Sequence, residues 1–488
     1  MLQTRSRMTR LAPLVSLFAL LVVACGGPEA DDDPVVDPDA GLGPDAAAPD
    51  AAVDIDAGVP VSPDGCAPMF GQTILPQYEL TIAPAEWAAL EDEFHHRAER
   101  EAAGLDPKPY HPAGFTYVSG NQRVVVDDVQ VRLKGNSSWA QTIAFDADPK
   151  MQFVISFNEV DPAARFLGVR KVDLDMPRTD YTFIRQRLGL RYLRAAGVPA
   201  QCANNARLVI NGAYYGLYTN LEHYDKEFRQ RVFGHDDDDG DLWEGGRIIS
   251  SNETTFTWDR LDALWAVTSI AELDDLADLD ASMYAWAAEM VVGDVDGYGN
   301  GFANFYVYDH PTRGFVWLPV DLDTVLDRDF VPPDQSPVFA PSPWRWELDW
   351  YHYLLVMNQP AGMERFVTAL AAARGKLDVA GLQADLDGFA AQIAASAAAD
   401  PRRPFTLDAH HHALDLSRAY IADRAAALDA WLACRTSGGA DRDGDGLDLC
   451  HDCDDQAFEV HAGATEVCNM VDDDCDGLLD DGSELVCP

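Results

Sequence analysis

Positive charge is scarce in this sequence, and the shortage excludes one class of function. Only 36 Lys and Arg residues stand against 81 Asp and Glu, which gives a net charge of −45 and a pI near 4.3. A protein that binds nucleic acid needs clustered cations to neutralise the phosphates. We therefore expect no nucleic-acid partner, and the acidic balance suits divalent cations or basic partners better.

Long apolar runs are equally rare, since only residues 11–24 form one, directly after a basic start. The run is too short to span a bilayer comfortably and ends at Leu21-Val22-Val23-Ala24-Cys25-Gly26, a lipobox. The pattern predicts a lipoprotein signal peptide over 1–25 with lipidation at Cys25. We expect the protein to contact the membrane through this lipid anchor only. No Asp follows Cys25, which favours the outer membrane of the cell envelope, facing the periplasm or the exterior.

Three further segments follow from composition. Residues 26–65 contain eleven acids and no Lys or Arg, so they cannot bury enough apolar surface to fold and are predicted to be a disordered linker. Residues 66–440 are long enough for one large domain or two tightly joined lobes, and residues 441–488 form an Asp- and Cys-rich tail. Nine cysteines minus Cys25 leave eight, an even number that predicts disulfides in an exported protein, with local pairing in the tail.

The main domain reads as strands followed by helices. Residues 124–126 and 129–133 look like two strands around an Asp-Asp turn, and 151–157 alternates as a half-buried strand does. Asn211-Gly212 predicts the turn of a hairpin over 207–218. Helices are predicted over 183–196, 380–398 and 414–434. This order predicts an α+β fold with two lobes and a cleft.

Four polar segments could carry chemistry, although each has an ordinary structural alternative. Arg132 to Ser138 is a strand end with a small polar loop, and Lys150 precedes a strand. Asp296 and Asn304 flank a glycine-containing turn before an aromatic strand, a pairing suited to orienting a hydroxyl and holding Mg²⁺. Asp294 is the second choice for that acid. Asp321 and Asp323 follow an apolar run and point the same way, an arrangement that would suit a bound cation. The structural alternative for this pair is a capped helix start or a surface turn.

In this order the segments resemble the CotH-like kinases, named after the spore-coat protein CotH. The resemblance covers about residues 78–435 and is strongest in the hairpin Leu208 to Tyr218 with Glu222, Asp225 and Lys226. It implies a two-lobed atypical protein-kinase-like fold that transfers the γ-phosphoryl of ATP, with Mg²⁺ or Mn²⁺, to Ser or Thr of secreted or surface proteins. The family has Trp where this chain has Val320.

The resemblance also assigns roles to single residues. Lys150 would contact phosphates, Asp296 would orient the substrate hydroxyl, and Asn304 and Asp321 would hold the metal with Asp323 in support. The remaining nucleotide contacts implied are Arg132, Asn136, Ser137 and Glu222. The acid that pairs with Lys150 is open among Asp173, Asp175, Asp180 and Glu222. A catalytically inactive surface-binding or adhesion protein, or a structural envelope protein, is the alternative function.

The tail carries acids at alternate positions before a glycine, twice, about 31 residues apart. Such a pattern supplies oxygen ligands to Ca²⁺ while the glycine allows a sharp turn, and the tail also resembles metal-binding repeats of exported bacterial surface proteins. The predicted calcium ligands of this disulfide- and calcium-stapled module are Asp441, Asp443, Asp445, Asp452, Asp472, Asp474, Asp476 and Asp480. With the cysteines paired, no thiolates remain for zinc.

Overall fold

The computed structural model describes most of the chain from Gly65 onward. The described residues are 65–135, 137–146, 148–176, 178–244, 247–250, 257–300, 304–338, 351–469, 471–475 and 480. The predictions for Cys25, Asn136 and Asp476, and for residues 26–64 of the linker, lie outside them. The described part mixes helices and sheets, as the sequence predicted.

Seven strands of the described part close into a barrel in the order β1-β2-β3-β4-β5-β7-β6. Their apolar residues alternate inward, and β4 and β5 are buried along their whole length. The interior is filled by residues such as Tyr78, Val131, Phe153, Leu174 and Leu208. The strands are β1 Gln77–Ile82, β2 His111–Ser119, β3 Gln122–Lys134, β4 Gln152–Ser156, β5 Lys171–Asp175, β6 Ala203–Ile210 and β7 Ala213–Glu222.

These strands test two turn predictions, with opposite outcomes. The hairpin of β6 and β7 is confirmed, with Asn211 and Gly212 at φ 50° and 83° between the paired Ile210 and Ala213. The predicted Asp-Asp turn is wrong, because β3 runs unbroken through it. There the register with β2 shifts and Asp128 takes a φ of 61°, so the two acids form a bulge.

A second sheet of four described strands and a set of helices follow. The sheet has the order β11-β10-β8-β9, with β8 Asp241–Glu244, β9 Arg247–Ser250, β10 Phe305–His310 and β11 Gly314–Pro319. The described helices are α1 Pro84–His95, α2 Arg97–Ala102, α3 Ser137–Phe145, α4 Arg185–Ala196, α5 Lys226–Phe233, α6 Asp259–Trp265, α7 Ile270–Leu276, α8 Leu279–Val292, α9 Tyr351–Met357, α10 Pro360–Arg374, α11 Val379–Ala399 and α12 Leu407–Ser437.

Helix α8 is the centre of the larger core. Asp278 caps its start with a carboxylate that accepts the Ala281 N–H, and Gly293 caps its end with a φ of 67°. Most of its residues are buried, and Trp286 packs against Trp317 of β11. Truncating such a buried Trp typically costs about 3–5 kcal/mol. The helix therefore fixes the sheet and the turn that follows Val292.

Two other helices begin at residues that differ from the predicted ones. Helix α4 begins at Arg185, two residues later than predicted, and closes at Gly197 as predicted. Helix α12 begins at Leu407, seven residues before the predicted start at 414, because the Thr406 hydroxyl accepts the Ala409 N–H. Among the helices of the described part, none combines the length and apolarity that a bilayer crossing requires.

Disulfides stabilise both the main domain and the tail. Cys66–Cys202 spans 136 residues of sequence and joins the start of the domain to the residue that precedes β6. Cys434–Cys450 and Cys453–Cys475 confirm the prediction of local pairing in the tail. Cys434 lies in α12, so the first of these bonds attaches the tail directly to the last helix of the body.

Candidate functional site

A cleft of about 470 Å³, counting its open mouth, lies between the barrel and the four-stranded sheet. Strand ends of both sheets supply most of its polar groups, and aromatic and aliphatic side chains supply the rest. Its lining residues are Lys134, Asp173, Asp175, Gln186, Gln201, Leu221, His223, Tyr224, Glu244, Asn304, Tyr306, Val320 and Asp321.

The one lysine of this lining set is Lys134, the last residue of β3. Its Nζ lies 2.7 Å from Oδ1 of Asp175, the last residue of β5. Strand β4 pairs with both β3 and β5, so the barrel places these two strand ends close together. Each side chain keeps about 10% exposure, so the ammonium is positioned and still accessible to a ligand.

Gln186 joins this ion pair to the metal-binding candidate Asp321. Its Nε2 lies 3.1 Å from Asp321 Oδ1 and 3.4 Å from Asp175 Oδ2. Asp321 follows β11 with a φ of 50°, a strained backbone of the kind that functional sites retain. Asn304 enters the same cleft just before β10, so the structure brings the predicted Asn304 and Asp321 together with Lys134.

The prediction that Lys150 contacts phosphates is corrected by its surroundings. Its side chain is fully buried, and its Nζ lies 2.8 Å from Asp400 Oδ2 and 2.6 Å from the Leu217 carbonyl oxygen. The Tyr218 ring lies 4.4 Å away. Burial lowers the pKa of Lys150, while Asp400 opposes the shift. With these contacts the ammonium stabilises the fold and does not reach the cleft.

None of the four acids left open for Lys150 is its partner. Asp175 binds Lys134, and Asp173 Oδ1 lies 2.8 Å from His223 Nδ1. Asp180 accepts backbone N–H groups at the start of α4, from Thr182 and Arg185. Glu222 holds Arg231 and the Cys202 N–H, and it does not line the cleft.

Two predicted nucleotide contacts are therefore corrected. The Glu222 carboxylate is engaged by Arg231 with Nη2 to Oε2 at 2.5 Å, which makes it a structural partner. Arg132 is buried at 1% exposure, lies 5.5 Å from the Tyr110 ring centroid and is absent from the described cleft lining. Ser137 is the first residue of α3, next to the β3 end that carries Lys134.

The two acids at 294 and 296 have different surroundings. Asp296 is half-buried and is not among the cleft-lining residues, but its carbonyl oxygen accepts the N–H of the cleft residue Asn304 at 3.1 Å. Asp294 is fully buried, and burial raises its pKa well above the ordinary value, with Glu289 adding to the shift. The second-choice role of Asp294 as the hydroxyl-orienting acid is thus excluded by its burial.

Asp323 is half-buried and accepts the Thr179 hydroxyl, outside the cleft lining.

The first acidic loop of the tail gathers more carboxylates than the sequence assigned. One carboxylate oxygen each of Asp441, Asp443 and Asp445 lies within 4.8 Å of the others. Burial raises the pKa of Asp452 to about 6, and the charges of Asp445, Asp443 and Asp455 add to it. The Oδ2 atoms of Asp443, Asp445 and Asp452 are buried without a hydrogen-bond partner among the described residues, whereas Asp455 Oδ2 lies 3.4 Å from Arg442 Nε. Asp455 is a nearby acid that the sequence pattern missed.

The second acidic loop differs in its ligand set. Here Glu466 joins Asp472 and Asp474 within 4.8 Å, and its Oε2 is buried without a hydrogen-bond partner in the described part. Asp480 instead accepts the Asn469 N–H at 2.8 Å. Glu466 stands outside the alternating Asp pattern, so only the folded tail brings it to the loop.

A paired lysine that faces an Asp and an Asn across a cleft is an arrangement typical of phosphoryl-transfer sites. Residues 131–266 match the family model described as "CotH kinase protein". Residues 452–481 match a second family model, described as "Putative metal-binding motif". No match to a curated protein was found.

Two solved structures are similar to parts of the chain. The proinflammatory kinase CtkA of Helicobacter pylori shares 9% identity with a TM-score of 0.30, over 57% of this chain and 91% of that one. HipA of the Shewanella oneidensis MR-1 toxin–antitoxin system, in complex with HipB and operator DNA, shares 14% identity with a TM-score of 0.25, over 53% of this chain and 59% of that one. Similarity at this level transfers no function.

Proposed function

We propose that the protein is an extracytoplasmic kinase that transfers the γ-phosphoryl group of ATP to Ser or Thr of secreted or surface proteins. The observation that carries the proposal is the Lys134–Asp175 ion pair, bridged by Gln186 to Asp321 in one cleft with Asn304. In this proposal the barrel forms one lobe, the four-stranded sheet and the helices form the other, and residues 66–440 form the kinase domain.

Positioning and charge stabilisation are what phosphoryl transfer mainly requires. Lys134 would contact the phosphates, with Asp175 holding its ammonium in place. Asn304 and Asp321 carry the oxygen ligands that suit Mg²⁺ or Mn²⁺, which would neutralise phosphate charge when bound. Asp296 would orient the substrate hydroxyl, and Asp323 would support the metal-binding turn. The aromatic and aliphatic lining, including Leu221, Tyr224 and Tyr306, would take the nucleoside.

Transfer of label from γ-³²P-ATP tests this proposal in the presence of Mg²⁺ or Mn²⁺. We expect the wild type to label a Ser- or Thr-containing acceptor, and Asp321→Ala and Asp296→Ala to lose at least about 100-fold in rate. Lys376→Met is a control, because Lys376 is exposed and outside the cleft lining. Equal labelling in all four proteins would contradict the assigned site. No labelling in any of them would favour a surface-binding or structural envelope protein.

We also propose that the tail binds Ca²⁺, because buried carboxylates without hydrogen-bond partners need a cation. Asp452 is 5% exposed, and its Oδ2 atom lacks a hydrogen-bond partner in the described part. Together with Asp441, Asp443 and Asp445 it offers an all-oxygen ligand set, which calcium prefers. The second loop would use Glu466, Asp472 and Asp474, with Asp476 and Asp480 as the remaining ligands of the proposal.

A further proposal concerns location. The lipobox at Cys25 supports an exported lipoprotein held at the cell envelope by its lipid, with residues 26–65 as the tether between anchor and kinase domain. Its substrates would then be proteins outside the cytoplasm.

A further inference from the structure

Two carboxylic acids lie beneath the turn that carries Asp296. Glu289 is in the last turn of α8, Asp294 follows the end of that helix, and their exposures are 2% and 0%. A Cβ atom placed on Gly297 would lie 3.0 Å from Asp294 Oδ2 and 3.0 Å from Glu289 Cδ. Both carboxyl groups therefore converge on one point, and only a glycine leaves room for them there.

Backbone N–H groups of the turn donate to both carboxylates. Asp294 accepts the Asp296 N–H at 3.2 Å and the Thr324 hydroxyl at 3.3 Å, and Glu289 accepts the N–H groups of Tyr298 and Gly299. After these bonds, Glu289 Oε2 and Asp294 Oδ2 still have no hydrogen-bond partner among the described residues.

The elements packed around the pair bring no neutralising charge to it. From α12, the Tyr420 hydroxyl approaches Gly293, and Arg424 donates to the Met290 carbonyl oxygen at 2.9 Å. From the segment after β11, Thr324 contributes a neutral hydroxyl. In the described residues no salt bridge reaches either carboxylate, and two buried negative charges this close cannot both persist.

We propose that Glu289 and Asp294 share one proton and act together as a positioning pair for the catalytic turn, an inference that rests on the proposed kinase function. The pair joins two catalytic segments: Asp294 binds the Asp296 N–H on one side and Thr324, next to Asp323, on the other. The Asp296 carbonyl oxygen in turn accepts the Asn304 N–H at 3.1 Å. In this proposal the shared proton holds the turn of Asp296 and Asn304 in a fixed position relative to the segment that carries Asp321 and Asp323.

Titration supports the same picture. Burial raises the pKa of Glu289 to about 8 and raises that of Asp294 well above its usual range. Because the folded pair holds a proton that the unfolded chain releases above about pH 4.5, stability falls as the pH rises from there toward 8. Once the pair has lost its shared proton it carries two charges, so the turn should open and labelling should decline.

The variant Glu289→Gln tests the pair. Its amide has N–H donors and does not titrate, so we expect its melting temperature to change less between pH 5.5 and 8.5 than that of the wild type. Its labelling rate, relative to its own maximum, should lack the alkaline decline, which for the wild type is about tenfold per pH unit above the pKa. Asp280→Asn, at the exposed start of the same helix, should follow the wild type in both profiles.

The two readouts separate this inference from the kinase proposal. A melting profile of Glu289→Gln that parallels the wild type would overturn the shared proton, whatever the labelling shows. If Glu289→Gln does not fold, Asp294→Asn also removes one titrating group of the pair. A melting profile of Asp294→Asn that parallels the wild type would likewise overturn the shared proton. Flattened melting profiles without labelling in any protein would support the pair and contradict the kinase.

Discussion

Lys134 and Lys150 belong to the same barrel, yet their side chains have opposite surroundings. Lys134 retains about a tenth of its side-chain exposure at the cleft, next to Asp175. Lys150 retains none and is enclosed by Asp400, a backbone carbonyl and the Tyr218 ring. A lysine can meet a phosphate only if its ammonium is accessible, so exposure assigns the ligand role to Lys134 and the structural role to Lys150.

We expect Lys150→Met to lower the free energy of unfolding by about 3–5 kcal/mol, because Asp400 would keep a buried charge without its cation. Urea unfolding followed by circular dichroism measures this loss. Lys376→Met, at an exposed position, should stay close to the wild type. A Lys150→Met protein with the wild-type midpoint would contradict the structural role.

The sequence could not distinguish these two lysines, because what separates them lies far along the chain. The partner of Lys150 is 250 residues away, and the partner of Lys134 ends a strand that is not its sequence neighbour. Asn304 and Asp321 were predictable, since each stands at the end of a recognisable strand. Gln186 carries no signal in sequence, although it connects both halves of the site.

Among the strands and turns, the sequence predicted the hairpin turn but not the pairing of β2 along the whole of β3. Asn211-Gly212 forms a hairpin because both residues accept a positive φ. The Asp127-Asp128 pair has similar turn propensity, but β2 pairs along both sides of it and makes one long strand with a bulge. Strand pairing across the barrel therefore overrides a turn signal when the partner strand is long enough.

The tail loops give a prediction at this scale. We expect saturable Ca²⁺ binding to the purified protein by calorimetry, weakened at least about tenfold by Asp445→Asn or Asp452→Asn, since each removes a charged ligand. Glu459→Gln is the matched control, because Glu459 is exposed in the same tail. A flat titration of the wild type, or equal affinity in Asp445→Asn and Glu459→Gln, would contradict the first calcium site.

For the whole molecule, the site extends beyond the family match. The matched region, residues 131–266, includes Lys134, Asp175 and Gln186 but ends before Asn304 and Asp321. Helix α8 and the four-stranded sheet bring those later residues back to the barrel. The candidate site is thus a property of the folded domain, and the residues that carry it are spread over almost 190 positions from Lys134 to Asp321.

The proposed anchor predicts where the molecule is found. Expressed with its full leader, the wild type should sediment with membranes and be released by detergent, because the Cys25 lipid is its only membrane contact in this proposal. Cys25→Ser should appear in the soluble fraction. If both proteins fractionate alike, lipidation at Cys25 is contradicted.

The rate of ³²P transfer from ATP by Lys134→Met, corrected for folded protein, tests the assignment of the cleft most directly. We expect a loss of at least about 100-fold relative to both the wild type and Lys376→Met, with the fold retained. A Lys134→Met protein that labels its acceptor at the wild-type rate would contradict it.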